Sequence, residues 1–565
     1  MTKTIQHPPA DRGRKAALYT GAILALSQAL FGQQAVWTAH YDNFRTGANT
    51  SETILSPTNV NPRQFGRLGA LPVGGCVVAQ PLYVPYVPIE GRGMRNLVLV
   101  ATTTNMVYAF DADNYSLYYN VGFGTPYPST LILSGGYHDF PDCDAGDGDG
   151  PIGIVGTPVI DTAEQAMYFV ANTADGDPGA PTSHHILHKI SLSTGQDLVP
   201  PVEIAGSFQG VNFQSRFQLQ RAAMMLLNGR IYVTFGSHQD ELPYYGWMFA
   251  YDPNLTQLGV MNFSPARSGA GIWQSGGGPA SGGRLIYFNT GNNAEGDADQ
   301  SENSESILQV DPISLEVIAK TSFAEGDEWD WGFDLDLGSS RVIVMPENNR
   351  LVGGSKLGDI FSVNRTGMML ESRRQAAARQ SAGVDWTGIY NGLAYWNRTI
   401  YVWPGGGGFI YGPLPPFPTD TLKAFTLNSD YQLVKVADGD SAGTALGYQG
   451  ANLVVSANGD DPASGIVWAM TPMLNTGGLQ PGFLHAYSAA DFSDGMFHEL
   501  WSDTPLGDAS DMGYNFAKFT QPLIANGKVY LPTFSGKVIV YGLLPNPAAP
   551  GESARPAAAR SVNKR

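Results

Sequence analysis

The stretch RIYVTFGSHQDELPYYGWMFAYDPN (230–254) decides how the chain folds. It holds two short apolar runs, RIYVTFGS (230–237) and WMFAYDPN (247–254), with a polar loop between them. Runs rich in β-branched and aromatic residues, bounded by Gly, Asp, Pro and Asn, read as strands. The same pair recurs along the chain. NLVLVATT (96–103) is followed by MVYAFDAD (106–113), AMYFVANT (166–173) by ILHKISLS (186–193), and LIYFNTGN (285–292) by ILQVDPIS (307–314). RLVGGSKL (350–357) precedes IFSVNRTG (360–367), and TIYVWPGG (399–406) precedes LKAFTLNS (422–429). GIVWAMTP (465–472) with FLHAYSAA (483–490) and KVYLPTFS (528–535) with VIVYGLLP (538–545) complete two series of eight in one order.

A third strand can precede each pair. AQPLYV (79–84), GTPVID (156–161), GGGPAS (276–281) and TQPLIA (520–525) share an X-Pro element there. Three strands and an outer fourth make a propeller blade. The span 65–544 gives about 60 residues per repeat against a usual ~40–50, so the loops are long. FGRLGALPV (65–73) stands before the first repeat without a partner of its own. It is expected to supply the outer strand of the last blade and so close the ring. The reading is an all-β chain with a single eight-bladed β-propeller over residues 36–545.

Composition agrees with many short strands and turns. The 565 residues include 68 Gly and 38 Pro, and only 15% are charged while 43% are hydrophobic. A coiled coil, a long helical bundle and a charged disordered chain are excluded. The net charge of −17 repels nucleic acid and anionic lipid, so neither is expected as a partner.

Lys3, Arg12, Arg14 and Lys15 precede a weak apolar run from Ala16 to Phe31. This reads as a secretory signal over residues 1–35, and the mature protein is expected outside the cytoplasm, periplasmic or extracellular. No other apolar stretch approaches the length of a membrane span. Residues 546–565, Ala/Pro-rich and basic, read as a disordered tail. Cys76 and Cys143 can form one bridge at most, and two unpaired thiols are the expectation.

These repeats resemble the PQQ-type repeat of the quinoprotein alcohol dehydrogenases, named for pyrroloquinoline quinone, and the resemblance spans nearly the whole mature chain. WTAHYDNFRTGANTSETILSPTNV (37–60) is similar to the segment before their first blade. FGSH, GIWQSGGGPA and LVGGSK resemble a group of exported bacterial PQQ-repeat proteins whose activity is largely unassigned. The resemblance implies a site at one end of the central channel. It implies Glu241 and Asn292, the latter in a Thr-Gly-Asn element, as calcium ligands, and Asp330 of GDEWDW (326–331) as catalytic base beside the metal. It implies Lys356 as the cation at the quinone carbonyls, while Trp273, nearby in sequence on the other side of the glycines, is the candidate aromatic contact for the cofactor. Those residue types suit the chemistry. Calcium takes oxygen ligands, a carboxylate can accept a hydroxyl proton, and a cation stabilises charge that arrives on a quinone.

The chain departs from that pattern in three places. Ser281 stands where the family has a tryptophan platform after its glycines, and no vicinal cysteine pair or CxxCH haem motif is present. Electrons would therefore leave to a separate acceptor. Two function classes follow. One is a PQQ- and calcium-dependent dehydrogenase for a small hydroxyl compound such as an alcohol or sugar. The other is a non-catalytic propeller that binds a protein or glycan. The acidic DCDAGDGDG (142–150) reads as a solvated loop rather than a calcium site. His184, His185 and His188 form HHxxH inside a predicted strand, where they alternate faces. No G-x-S-x-G, HExxH or Walker A sequence supports a hydrolase or a kinase.

Overall fold

The computed structural model describes residues 34–131, 141–144, 150–177, 179–293, 303–323, 336–375, 388–390, 392–405, 420–439, 450–472, 479–503 and 513–545. Asp330 lies outside the described residues, as do residues 1–33, expected to form the signal, and 546–565, expected to form the tail. Helical structure among the described residues is confined to short 3-10 turns, and none of it is a helix long and apolar enough to cross a membrane.

The opening stretch shows how one blade is built. Met225–Leu227, Arg230–Ser237, Trp247–Tyr251 and Gln257–Asn262 lie side by side, each antiparallel to the next. The residues between the ends of Arg230–Ser237 are all buried, because sheets stand against it on both faces. That is why the second and third strands read as continuous β-branched and aromatic runs rather than as alternating ones. Two-residue Asn-Gly turns join first to second strands in two blades. Asn526 and Gly527, for instance, both take positive φ between Leu523–Ala525 and Lys528–Pro532, as a type I′ hairpin turn requires.

Eight such sheets form the propeller ring. Their first strands are Leu82–Ile89, Val159–Asp161, Met225–Leu227, Ala280–Ser281, Ile343–Val344, Leu393–Trp396, Asn452–Ser456 and Leu523–Ala525, for blades 1 to 8. Ring closure follows the sequence expectation. Phe65–Pro72 pairs antiparallel with Lys537–Leu543, from Phe65 opposite Leu543 to Pro72 opposite Lys537. Phe65 is 1% exposed and inserts among Trp468, Trp501 and Tyr541, with ring centroids 5.4, 4.9 and 6.5 Å away. It therefore ties the closing strand to both blade 7 and blade 8. Phe65→Ala is expected to cost about 3–5 kcal/mol, the usual loss for a buried aromatic. Urea unfolding of the variant checks this.

The segment before the ring does something the repeats do not announce. Residues 36–49 cross the channel and bond to the first strand, or its approach, in every blade. Val36 pairs with Tyr83 of blade 1, and the Trp37 carbonyl accepts the Ile160 N–H of blade 2. Asn43 donates from its amide to the Leu226 carbonyl of blade 3 at 2.8 Å and accepts the Ser281 N–H of blade 4. The carbonyls of Phe44, Thr46 and Gly47 accept the N–H groups of Val344, Tyr395 and Val455 in blades 5, 6 and 7. The Tyr41 hydroxyl donates to the Pro522 carbonyl and accepts the Ile524 N–H in blade 8. Ala48–Asn49 also adds a short parallel strand to Asn452–Ser456.

Cys76 and Cys143 form a disulfide with Cα atoms 5.2 Å apart. The expectation of two unpaired thiols is thereby corrected. The acidic loop carrying Cys143 also accepts the Gly75 N–H on Asp144 at 2.8 Å, so the bridge and the loop brace one another.

Candidate functional site

Glu241, Asn292 and Lys356 occupy equivalent connections, between the second and third strands of blades 3, 4 and 5. Equivalent connections of a propeller share one end of the ring. The segments leading into first strands open on the same end, and they carry Trp273, Asp336, Tyr390 and Phe519 of blades 4, 5, 6 and 8.

Asp336 is the centre of this mouth. Its Oδ1 is 2.6 Å from Lys356 Nζ, and its Oδ2 accepts the Trp273 indole N–H at 2.9 Å. Both members of the ion pair are buried, while Trp273 stays partly exposed. The Lys356 ammonium also stands 5.2 Å from the Trp273 ring centroid. Gly291 explains how the carboxylate fits, since a Cβ there would lie 2.7 Å from Asp336 Oδ2. The Gly of the Thr-Gly-Asn element thus makes room for a neighbouring blade's acid.

Beside the pair, Trp273, Tyr390 and Phe519 make an aromatic triangle. Tyr390 and Phe519 stack at 5.5 Å, and Trp273 meets them at 6.4 and 5.8 Å. Two further cations border it, Lys518 Nζ at 5.2 Å and the Arg221 guanidinium at 5.9 Å from the Phe519 ring.

The candidate metal ligands are arranged differently. Glu241 Oε1 is held by Arg216 Nη2 at 2.5 Å. The carboxylate of that loop within the field of Lys356 and Asp336 is the neighbouring Asp240. Asp240 accepts the Ser237 hydroxyl at 2.9 Å. Desolvation raises the Asp240 pKa, Lys356 opposes this, and the Asp336 charge adds to it, though the residue as a whole stays exposed. The Asn292 side-chain oxygen accepts the Tyr244 hydroxyl at 3.4 Å, and Tyr244 also bonds Asp240. Ser281 lies away from the mouth, fixed by the axial segment through Asn43. Among the described residues, Trp273 is accordingly the indole at the mouth.

Sequence reasoning missed Asp240, Asp336, Tyr390 and Phe519. Asp336 stands in a run with Asp327, Asp330 and Asp334, and the run offers no means of choosing among them. Tyr390 and Phe519 come from blades 6 and 8 and carry no local motif.

HHxxH lies in the strand Thr182–Ser191, as read from sequence. His184 bonds Glu203 at 2.6 Å and Asp175 at 3.2 Å, His185 is buried against Phe235, and His188 stacks on Phe169. Burial holds His185 well below the ordinary histidine pKa, and His188 is lowered by the same cause. A histidine kept neutral in the fold stabilises it above the unfolded value of about 6.5, and that stability is lost as pH falls below it. His184 has the opposite sign, because its bond to Glu203 raises its pKa and its contribution fades as pH rises. Stability is expected to fall between pH 7 and 5.5, and His185→Gln is expected to reduce that fall. Thermal unfolding across the range checks both.

The chain matches no protein-family model, and no curated protein is similar to it in sequence. Solved structures are similar in fold. A quinohemoprotein alcohol dehydrogenase from Pseudomonas putida HK5 is 13% identical with a TM-score of 0.60, over 92% of this chain and 82% of that one. A europium-containing methanol dehydrogenase is 13% identical with a TM-score of 0.52, over 90% and 98%. BamB from Moraxella catarrhalis is 12% identical with a TM-score of 0.46, over 85% and 99%. At 13% identity the likeness to the two dehydrogenases is one of fold, and a fold alone does not carry an activity.

Proposed function

We propose that this propeller is a quinoprotein-type oxidoreductase that binds PQQ at the mouth and oxidises a small hydroxyl compound, an alcohol or a sugar. A separate acceptor takes the electrons. The observation that carries the reading is the buried Lys356–Asp336 pair beside the partly exposed Trp273 indole. PQQ is flat, aromatic and tricarboxylate, and three rings bordered by Lys356, Lys518 and Arg221 suit that shape and charge. When bound, PQQ supplies the electron-accepting chemistry. Lys356 would stabilise negative charge at the quinone oxygens, and Asp336 would hold both Lys356 and the indole in place. Asp330 is the proton acceptor implied by the resemblance; Asp240, at the mouth with a raised pKa, is a second carboxylate suited to that work.

Calcium fits less well. Glu241 is engaged by Arg216, and among the described residues no three carboxylate, histidine or cysteine side chains come together as ligands. Of the residues the resemblance implies, Asn292 and Asp330 would be the ones to hold the ion. The Cys76–Cys143 bridge and the basic–apolar N-terminus support a periplasmic or extracellular location.

The test is titration of the purified protein with PQQ, with and without Ca²⁺, followed by absorbance, and then a dye-reduction screen over alcohols and sugars. Uptake at micromolar PQQ is expected. No uptake in either condition overturns the reading in favour of the non-catalytic scaffold.

A further inference from the structure

The axial segment carries a second cluster that the mouth chemistry does not use. His40 is fully buried, and neither of its ring nitrogens has a protein partner among the described residues. Gln80 accepts the His40 backbone N–H on Oε1 at 3.0 Å, yet its own amide nitrogen is buried without a partner. Gln521 precedes the Pro522 that receives the Tyr41 hydroxyl, and its buried amide nitrogen is likewise unpartnered.

The charges acting on His40 are both cationic. Desolvation above all, joined by the buried Arg341 and Arg45, keeps the imidazole neutral. The carboxylate acting on both arginines is Asp42, already bonded by the Thr46 hydroxyl at 2.6 Å and backbone N–H at 3.1 Å. The backbone here is held in an unfavourable form. His40, Tyr41 and Arg45 have φ of 57°, 73° and 61°, the left-handed region that non-glycine residues avoid. Such strain concentrates where side chains are aimed at a ligand.

Buried polar groups without partners are costly, and nearly all find one. Here the unmatched donors beside one another are the Gln80 amide N–H₂ and the single N–H of a neutral imidazole. Whatever satisfies these donors must accept hydrogen bonds, and the two guanidiniums favour a negative charge. We propose that the channel holds, beside His40 and Gln80, a binding site for one small monovalent anion, a halide or a formate-sized carboxylate. This does not depend on PQQ binding at the mouth. It predicts that the axial segment and an anion jointly complete the channel's interior.

Crystals soaked in sodium bromide test it directly. An anomalous peak within hydrogen-bond reach of Gln80 Nε2 and His40 is expected. Water-like density there with no bromine signal overturns the proposal. In solution, the melting temperature should rise saturably with bromide when gluconate, too large to enter, keeps the ionic strength constant; a formate series distinguishes carboxylate from halide. Gln80→Glu sharpens the test. It keeps the acceptor for the His40 N–H but places a fixed carboxylate where the anion would sit. The variant should lose the bromide dependence, with at least about a tenfold weaker apparent affinity, the change expected when ~1.4 kcal/mol of contact is removed. An unchanged bromide response in Gln80→Glu, or no anion-specific rise in the wild type, refutes the site. If the variant does not fold, the wild-type anomalous map still decides.

Discussion

Arg45→Met is expected to lose on the order of 3–5 kcal/mol of stability and to release the axial segment from the ring. The guanidinium makes four bonds. It donates to the carbonyls of Pro279 at 2.8 Å, Ala39 at 2.8 Å and Met224 at 3.0 Å, and to the Thr38 hydroxyl at 2.7 Å. One side chain thus ties the segment to the approaches of blades 3 and 4. Two effects oppose each other. Burial has pulled the Arg45 pKa down to about 10, so removing the charge returns roughly 3 kcal/mol. Four buried acceptors then lose their donor, at about 1–3 kcal/mol each, and the second effect wins. Arg45→Lys separates geometry from charge. Lysine keeps the charge but lacks the fork that reaches two blades at once, so it should rescue little. Urea unfolding gives the loss. Hydrogen exchange locates it: the amides of Ser281, Val344, Tyr395 and Val455, which donate to the segment, should exchange faster in both variants.

That segment also marks where the sequence stops being legible. The eight paired runs fall on the second and third strands, because those strands are covered on both faces and must be continuously apolar. The X-Pro elements fall on or just before first strands. Phe65–Pro72 could be placed in the last blade because an unpaired strand and a blade short of one are complementary. Residues 36–49 have no such logic. Their bonds run mostly through backbone carbonyls and through polar side chains such as Asn43 and Arg45, so no periodicity announces the path. The disulfide was equally hidden. Spacing says nothing of the 5.2 Å that separates two Cα atoms 67 residues apart in the chain.

At the mouth, Lys356 and Trp273 were readable through local motifs, whereas their common partner was not. Asp336 belongs to a stretch with four aspartates within ten residues, and the sequence does not single it out; its bonds to Lys356 and Trp273 and its packing against Gly291 appear only in the fold. The aromatic triangle is assembled by ring closure from blades 4, 6 and 8, which no single segment can display.

Lys356→Met should be the most damaging single change at the mouth, at about 3–5 kcal/mol, because it strands the Asp336 carboxylate in a buried setting. The Trp273 indole N–H alone, at 2.9 Å, cannot replace the lost ammonium. Asp336→Leu alone should be comparably harmful, since it leaves the ammonium without its carboxylate. The double variant Lys356→Met, Asp336→Leu removes both charges and should recover most of the loss, as exchanges of buried ion pairs for apolar side chains commonly do. A coupling energy above about 2 kcal/mol in this cycle shows that the two residues act as one unit. The same four proteins separate structure from function. If Lys356 only braces the fold, the stable double variant takes up PQQ as the wild type does. If Lys356 meets the quinone, the double variant is folded yet binds PQQ far more weakly, because the cation at the quinone oxygens is gone while Lys518, Arg221 and the Trp273 ring remain. Equal uptake by the double variant and the wild type would sink the assignment of Lys356 as a cofactor contact and leave the ion pair a structural one.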